Sequence, residues 1–477
     1  MGTPLRLVEN NLHEVSVQGK SYLFHIPSTS LFESDGLVND IITSLRSTPR
    51  SSQGLCQDLA PLYPPQDVTN ALQELQSLQL VDDGGAAAES MPPLALDKFP
   101  LTTVVLNINT GCNLACTYCY KEDLDVPMAG KKMNFETARD AIEMLLAESP
   151  DQSRYNVVFF GGEPLSNMPL LKEVVSYAEQ RFSGLDARID FSLTTNATLL
   201  TERTVDYLNA HNVGIAVSMD GPEAFHDRNR ITVGGKGTYE TVARKVEMLL
   251  SRYTARPVGA RVTLTRGITD VHTIWDHLFN TLGFAEVGFA PVTSGDISTY
   301  NLTSEELAEV FSNMKQLGQL YLEAALENRS IGFSNLHQML TDIHEGTKKA
   351  LPCGAGVGLV AVDHEGGVNL CHRFTGSDLP LFGDVNKGLD KAGLNDFLNQ
   401  RIAQKENGCN TCRIRNLCAG GCYHESYARY GDPVKPTFHY CDLMRDWVDF
   451  GISVYTRILE ENPGFFNRYL SPRSVRS

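Results

Sequence analysis

No run of about 18 consecutive apolar residues occurs in the chain, so a membrane-spanning helix is not expected. The opening Met1-Gly-Thr-Pro-Leu-Arg6 has no apolar h-region of a secretory signal. Arg6 also stands where a myristoylation signal needs Ser or Thr. Basic residues are in short supply: 41 Lys and Arg face 57 Asp and Glu, a net charge of −16. That balance argues against nucleic acid and anionic membranes as partners. Internal repeats and low-complexity tracts are absent too. With 42% hydrophobic and 21% charged residues, the 477-residue chain is not a disordered one. Its length suggests about three domains, and a cytoplasmic location is expected.

Cysteine is what the chain has in quantity. Eleven are present, and a cytoplasmic chain has no use for a disulfide framework. They cluster, with three at 112–119, two at 353–371 and five at 409–441, leaving only Cys56 alone. Clustering of this kind reads as metal binding.

Residues 1–82 read as a small separate unit. Val15, Val17, Tyr22, Phe24 and Ile26 alternate around Gln18-Gly19-Lys20, which predicts a β-hairpin. Helical spacing follows over Leu37–Leu45 and again over Val68–Leu80. A hairpin with helices suggests a winged-helix-like module. Residues 83–98 form a Gly-, Ala- and Pro-rich linker. From residue 99 the pattern becomes strand–helix–strand, with strands predicted at Thr102–Ile108, Asn156–Phe160, Ile189–Leu193, Val213–Ser218, Val258–Leu264 and Ala285–Ala290. Asn134 is placed to cap the helix that follows the first of them. Strands alternating with helices predict an α/β fold, an open parallel (β/α)6 barrel with chemistry at the C-terminal strand ends. With a helical extension this domain covers 99–345. Residues 346–477 are Gly- and Cys-rich, with too little apolar periodicity for an ordinary core, so metal clusters are expected to hold them together.

The first cysteine group, Gly111-Cys112-Asn-Leu-Ala-Cys116-Thr-Tyr118-Cys119-Tyr120, follows the first barrel strand directly. Its Cys-x3-Cys-x2-Cys spacing should arise by chance only roughly 0.006 times in such a chain. Three thiolates on one loop can ligate three irons of a cubane and leave the fourth iron open. Structural zinc normally takes four protein ligands. Here the sequence resembles the radical S-adenosylmethionine (SAM) superfamily. The resemblance implies that the open iron chelates SAM, and that electron transfer cleaves SAM to a 5′-deoxyadenosyl radical. It also assigns SAM contacts to Tyr118, to Gly161-Gly162-Glu163 after the second strand, to Thr195-Asn196 after the third, to Ser218 after the fourth, and to Arg244 on the helix beyond. A carboxylate facing the SAM ammonium would suit Glu163. Asp220, two residues after Ser218, alternates toward the same barrel mouth and is the candidate catalytic group, as proton acceptor or thiol holder.

The remaining seven cysteines run Cys353, Cys371, Cys409, Cys412, Cys418, Cys422 and Cys441, too many for one metal site. Their spacings resemble the SPASM extension of peptide-modifying radical-SAM enzymes. That resemblance assigns Cys353, Cys371 and Cys422 to one auxiliary [4Fe-4S] cluster and Cys409, Cys412, Cys418 and Cys441 to another. Spacing alone would have grouped Cys409 with Cys412, Cys418 and Cys422. The first auxiliary cluster then has three cysteines and an open position, which a substrate thiolate suits.

Over nearly the whole length, and notably at Leu23-Phe-His-Ile-Pro-Ser-Thr-Ser-Leu-Phe-Glu-Ser-Asp35, the chain resembles the maturation enzymes of quinohemoprotein amine dehydrogenase. These form thioethers between Cys sulfur and Asp or Glu methylene carbons in the small γ subunit. The resemblance implies SAM, three [4Fe-4S] clusters, a small Cys-rich peptide or protein substrate whose leader adds a strand to the N-terminal sheet, and a reductant such as flavodoxin or ferredoxin. Maturases making α-carbon thioethers remain alternatives, as do sulfatase-type maturases making formylglycine. The latter place an Asp after the second extension cysteine, where this chain has His372.

Overall fold

The computed structural model describes residues 3–84, 94–120, 130–293, 299–404 and 408–470. Residues 85–93 of the expected linker and residues 471–477 of the tail lie outside these.

The N-terminal unit is closed by β1 (Arg6–Leu7) pairing with β5 (Val81–Asp82). Between them β2 (Leu12–Val17), β3 (Lys20–His25) and β4 (Ser30–Ser34) form an antiparallel meander. Gln18 and Gly19 alone turn the first hairpin, with φ of 51° and 82°, the left-handed pair a tight two-residue turn needs. Three helices follow, at Gly36–Ser47, Ser52–Leu59 and Pro65–Ser77. The sequence reading missed β4, whose Phe32 and Glu33 are both exposed and so break the alternation. It also missed the helix Ser52–Leu59, which buries only Leu55 and Leu59.

Both faces of the meander are covered. Leu12 and Leu23 join Ile41, Ile42, Leu45, Val68 and Leu72 in a core of the unit's own. Val15, Val17, Tyr22 and Phe24 face the other way into the main core, the consequence of period-two alternation. The unit is therefore docked rather than separate. Lys20 reaches Glu460 at 2.8 Å and His13 reaches Asp449 at 3.0 Å, both on the helix Cys441–Glu461.

Six parallel strands carry the centre of the molecule: β6 (Thr103–Asn109), β7 (Arg154–Gly161), β8 (Arg188–Thr195), β9 (Gly214–Ser218), β10 (Gly259–Leu264) and β11 (Glu286–Pro291). They pair in chain order, with helices returning the chain each time. Asn134 caps the helix Phe135–Glu148 by accepting from Thr137 N at 2.7 Å, as the sequence predicts.

The sheet does not stop at β6. From the Cys-rich region β12 (Leu359–Val362) adds in parallel beside β6, and β13 (Val368–Asn369) adds antiparallel beyond it. The full order is β11-β10-β9-β8-β7-β6-β12-β13. The Cys-rich region thus shares a sheet with the barrel through these two strands. It also has an apolar core, contrary to the expectation from local pattern: Phe99, Leu370, Phe374, Phe382, Phe397, Leu398 and Tyr423 pack together. These partners are far apart in the chain and leave no local period. Residues 94–96 are stapled to the helix Lys391–Ala403, Leu94 N donating to Asn399 Oδ1 and Leu96 N to Asn395 Oδ1.

Candidate active site

The cysteine loop leaves the end of β6 and is held by backbone on two sides. Ala115 N donates to Ile231 O at 2.9 Å and Thr117 N to Asn229 O at 3.0 Å. On the other side Gly162 N donates to Asn109 O at 2.7 Å and Glu163 N to Gly111 O at 3.2 Å. A Cβ at Gly161 would lie 2.2 Å from Asn109 O, and one at Gly162 2.1 Å from Gly111 O. The two glycines are therefore required by close approach to the cysteine loop, whatever their carbonyls contact.

A cavity of about 200 Å³ opens above the strand ends. Cys112, Cys116, Cys119, Tyr118, Gly161, Gly162, Thr195, Asn196 and Ser218 line it, which brings nine of the sequence-selected residues to one place. Glu163 is not among them. Its carboxylate is fully buried and accepts from Thr195 Oγ1 at 2.7 Å, Asn196 N at 2.8 Å and Leu165 N at 3.0 Å. Burial pushes its pKa up while these donors pull it down. Glu163 thus shapes the loop that presents Thr195 and Asn196, and its carboxylate does not face the cavity. Arg244 is also outside. It is exposed on the helix Tyr239–Arg252, whose buried face is Val242, Val246 and Leu249.

Asp220 has no exposed surface and does not line the cavity. Its Oδ2 accepts from the Tyr118 hydroxyl at 2.6 Å and from Arg230 Nε at 2.9 Å, and its Oδ1 from Thr263 N at 3.0 Å. The carboxylate anticipated as proton acceptor or thiol holder thus has three protein donors and is set back from the cavity lining. The guanidinium at the cavity wall is Arg230, which also lies over the Tyr118 ring at 5.6 Å. The sequence reading passed over Arg230; the clue was a charged residue ten positions after Asp220.

None of the eleven cysteines is disulfide-bonded. Cys112 and Cys116 are pushed up by burial to about 11 and about 12, and each feels the charge of Cys119. Buried thiols crowded in this way ionise only beside a cation, which an iron cluster provides. A second set comprises Cys353, Cys371 and Cys422, each within electrostatic reach of another. A third cavity wall is built by Cys409, Cys412, Cys418 and Cys441, around about 170 Å³, and Cys422 is not part of it. Among the described residues no three His, Cys, Asp or Glu side chains converge on a point fit for a single metal ion. Sets of thiols spread around a cavity suit a larger inorganic group.

Tyr120 joins the first set to the second. It follows Cys119, lies within the field of Cys371 and Cys422, and carries the Arg373 guanidinium over its ring at 4.8 Å. Between the second and third sets Arg401 is wholly buried. It donates to Gly420 O at 2.6 Å, Gly421 O at 2.8 Å, Val434 O at 3.0 Å and Lys435 O at 2.5 Å. Ala419, Gly420 and Gly421 all have positive φ, so Arg401 pins a left-handed stretch between Cys418 and Cys422. Tyr120, Arg373 and Arg401 were not singled out from sequence, since nothing local marks them.

Residues 106–278 match the Radical SAM superfamily. The chain is 24% identical over 366 residues to the cysteine-type anaerobic sulfatase-maturating enzyme of Clostridium perfringens, covering 74% of this chain and 96% of that one. It is 23% identical over 366 residues to the radical SAM cyclopropyl synthase TigE of Paramaledivibacter caminithermalis, covering 72% of each. The solved structure of native anSMEcpe with bound AdoMet superposes with a TM-score of 0.63 at 20% identity, over 78% of this chain and 100% of that one. The fold is the α/β radical-SAM fold, and the family implies SAM and a [4Fe-4S] cluster, which Cys112, Cys116 and Cys119 would hold. Among the described residues no helix is long and apolar enough to cross a membrane.

Proposed function

From the premise that this is a radical SAM enzyme, we propose that it forms intrapeptide thioethers, joining Cys sulfur to Asp or Glu methylene carbons in the small γ subunit of quinohemoprotein amine dehydrogenase. The observation that carries this reading is the place of Tyr120, which puts the thiols of the second set beside the cavity of the first. Joining a thiol to a methylene removes two hydrogens from the substrate. Abstraction accounts for one; the other leaves as a proton and an electron, and the electron needs an acceptor close by. When bound, the SAM-site cluster supplies the electron that cleaves SAM to the abstracting radical. In this reading Cys353, Cys371 and Cys422 would hold one auxiliary [4Fe-4S] cluster and Cys409, Cys412, Cys418 and Cys441 another, and such groups would supply the electron acceptor. Tyr118, through Asp220 and Arg230, keeps the first loop rigid, while Thr195, Asn196 and Ser218 supply polar contacts for SAM.

The N-terminal meander supports peptide capture. β4 is an edge strand with Phe32 exposed, and an extended leader can pair with such an edge. A flavodoxin or ferredoxin in the cytoplasm would serve as reductant.

A second reading, formylglycine formation, is favoured by the sulfatase-maturase relatives. Against it, the residue after Cys371 is His372, whose ring packs on Phe160 at 4.3 Å, where that chemistry uses a carboxylate. Mass spectrometry of the γ subunit co-expressed with the enzyme separates the two. Loss of two hydrogens per cross-link with alkylation-resistant thiols is expected; a Cys converted to an aldehyde would select the second reading, and an unmodified peptide would overturn the first.

A further inference from the structure

The cavity wall carries two guanidiniums, and they differ in one respect. Arg230 has Asp220 at 2.9 Å. Arg373 has no carboxylate within 4.0 Å among the described residues: its recorded contacts are the Thr293 hydroxyl, to which Nη1 donates at 2.5 Å, and the face of Tyr120. The carboxylate whose charge it feels is Glu425, and Glu425 is occupied, accepting from Tyr440 at 3.0 Å with His439 at 3.4 Å. Among the described residues Arg373 thus brings to a partly enclosed cavity a cation that no carboxylate pairs, with the Cys371 thiol within its field.

Its orientation is set by packing. Tyr120 lies edge-on to His424 at 5.3 Å, and the Arg373 guanidinium spreads over the Tyr120 ring. Phe374, the next residue, is buried and packs on His424 at 5.5 Å. The guanidinium is thereby held at the wall, where among the described residues Nη1 donates to a neutral hydroxyl. A planar fork that faces a partly enclosed cavity, with no carboxylate among the described residues paired to it, selects a planar anion, and a carboxylate fits it in two-point fashion.

The position matters as much as the charge. Arg373 lines the cavity that Cys112, Cys116 and Cys119 line, and lies two residues after Cys371. We propose that Arg373 is the specificity residue that binds the side-chain carboxylate of the acidic residue to be modified, setting the adjoining methylene between the first thiol set and the second. The inference rests on the peptide-modifying reading above and adds which side chain of the peptide is grasped, and by what. Arg373 acts by contact with substrate; Tyr120 and Thr293 act through it as positioning residues.

The test leaves the enzyme unaltered at first. The holoenzyme is given the γ-subunit polypeptide, and the same polypeptide with one cross-linked Asp or Glu changed to Asn or Gln. Affinity is read by fluorescence anisotropy and cross-linking at that position by mass spectrometry. Loss of a charge-assisted pair predicts that the amide form binds about tenfold or more weakly and is cross-linked correspondingly less. Arg373→Gln should then bring the acid and amide forms to within about threefold of each other, and Arg373→Lys, which keeps charge without the fork, should fall between. Equal handling of acid and amide by the unaltered enzyme would overturn the proposal while cross-linking itself stood. Preserved discrimination in Arg373→Gln would also overturn it, as would a loss of SAM affinity in that variant with the acid-to-amide ratio unchanged. Absence of any cross-link in the unsubstituted polypeptide would instead remove the peptide-modifying reading, and this proposal with it.

Discussion

The Tyr118 hydroxyl donates to the Asp220 carboxylate at 2.6 Å, tying the cysteine loop to the segment that follows β9. The same oxygen takes the Arg230 guanidinium, and both charged groups are buried. A paired charge of this kind is costly to break from one side, because the survivor is left in a medium that solvates it poorly. Asp220→Ala should therefore destabilise the protein by about 3–5 kcal/mol. It should also loosen the first cluster, seen as lower iron retention on gel filtration. A variant that unfolds in urea within about 0.5 kcal/mol of the parent would show the pair to be idle.

His226 makes the same region sensitive to acid. It is fully buried, with Nδ1 accepting from Asp220 N at 3.4 Å and Nε2 set against Thr238 Oγ1 at 3.0 Å. Because the Thr238 hydroxyl donates to Arg230 O, Nε2 carries the proton and the ring is neutral. Burial, with Arg230 nearby, pushes the His226 pKa from 6.5 down to about 3, despite an opposing pull from Asp227. The folded-state value is depressed, so the stability this ring contributes is present above pH 6.5 and is lost as pH falls toward 3. The loss amounts to about 1.4 kcal/mol per pH unit, or about 2 kcal/mol by pH 5. His226→Gln should flatten the fall in melting temperature between pH 7 and pH 5; an unchanged fall would place the sensitivity elsewhere.

Cysteine variants read out the grouping of the thiols. Cys441→Ala and Cys409→Ala should each reduce bound iron by up to ~4 atoms per chain and abolish the same spectroscopic signal. Cys422→Ala should share its lost signal with Cys353→Ala instead. A common signature for Cys422→Ala and Cys409→Ala would mean that nearness in sequence, and not the spatial arrangement, governs ligation.

Arg401→Met should act on two thiol sets at once. The guanidinium satisfies four carbonyl oxygens around the left-handed stretch Ala419–Gly421. Buried acceptors left without donors cost about 1–3 kcal/mol each when no water reaches them. Iron lost from both auxiliary sets, with the SAM-site cluster retained, is the expected result in electron paramagnetic resonance. Retention of all signals with a shifted potential would reduce Arg401 to an electrostatic role.

What could be read from the sequence was whatever repeats or clusters locally. The six parallel strands fell within two residues of their predicted ends because Val, Ile and Phe runs alternate with capped helices; Asn134 shows how a single capping side chain fixed one boundary. The spacing of the thiols also spoke for itself. Long-range pairs stayed hidden. Nothing near Arg401 announces that it reaches Gly420 and Val434, and nothing near Asp220 shows that Tyr118, Arg230 and Thr263 all donate to it. Glu163 is the instructive case, since its residue type suggested a ligand contact and nothing local shows the three donors that its carboxylate takes from Leu165, Thr195 and Asn196.

The addition of β12 beside β6 has a mechanical consequence. The strand that launches the cysteine loop is an interior strand, gripped by β7 on one side and by β12 on the other. Just beyond β13 lies Cys371, and Asn107 of β6 bonds Thr375 Oγ1 at 2.8 Å, past that cysteine. The strand that launches the first thiol set and the strand that precedes Cys371 therefore belong to one sheet, and the Asn107–Thr375 side-chain bond adds a further tie between them. Relative movement of β6 and β12 would have to break sheet hydrogen bonds, so the spacing between the cysteine loop and Cys371 should vary little with solvent viscosity or slow breathing of the chain.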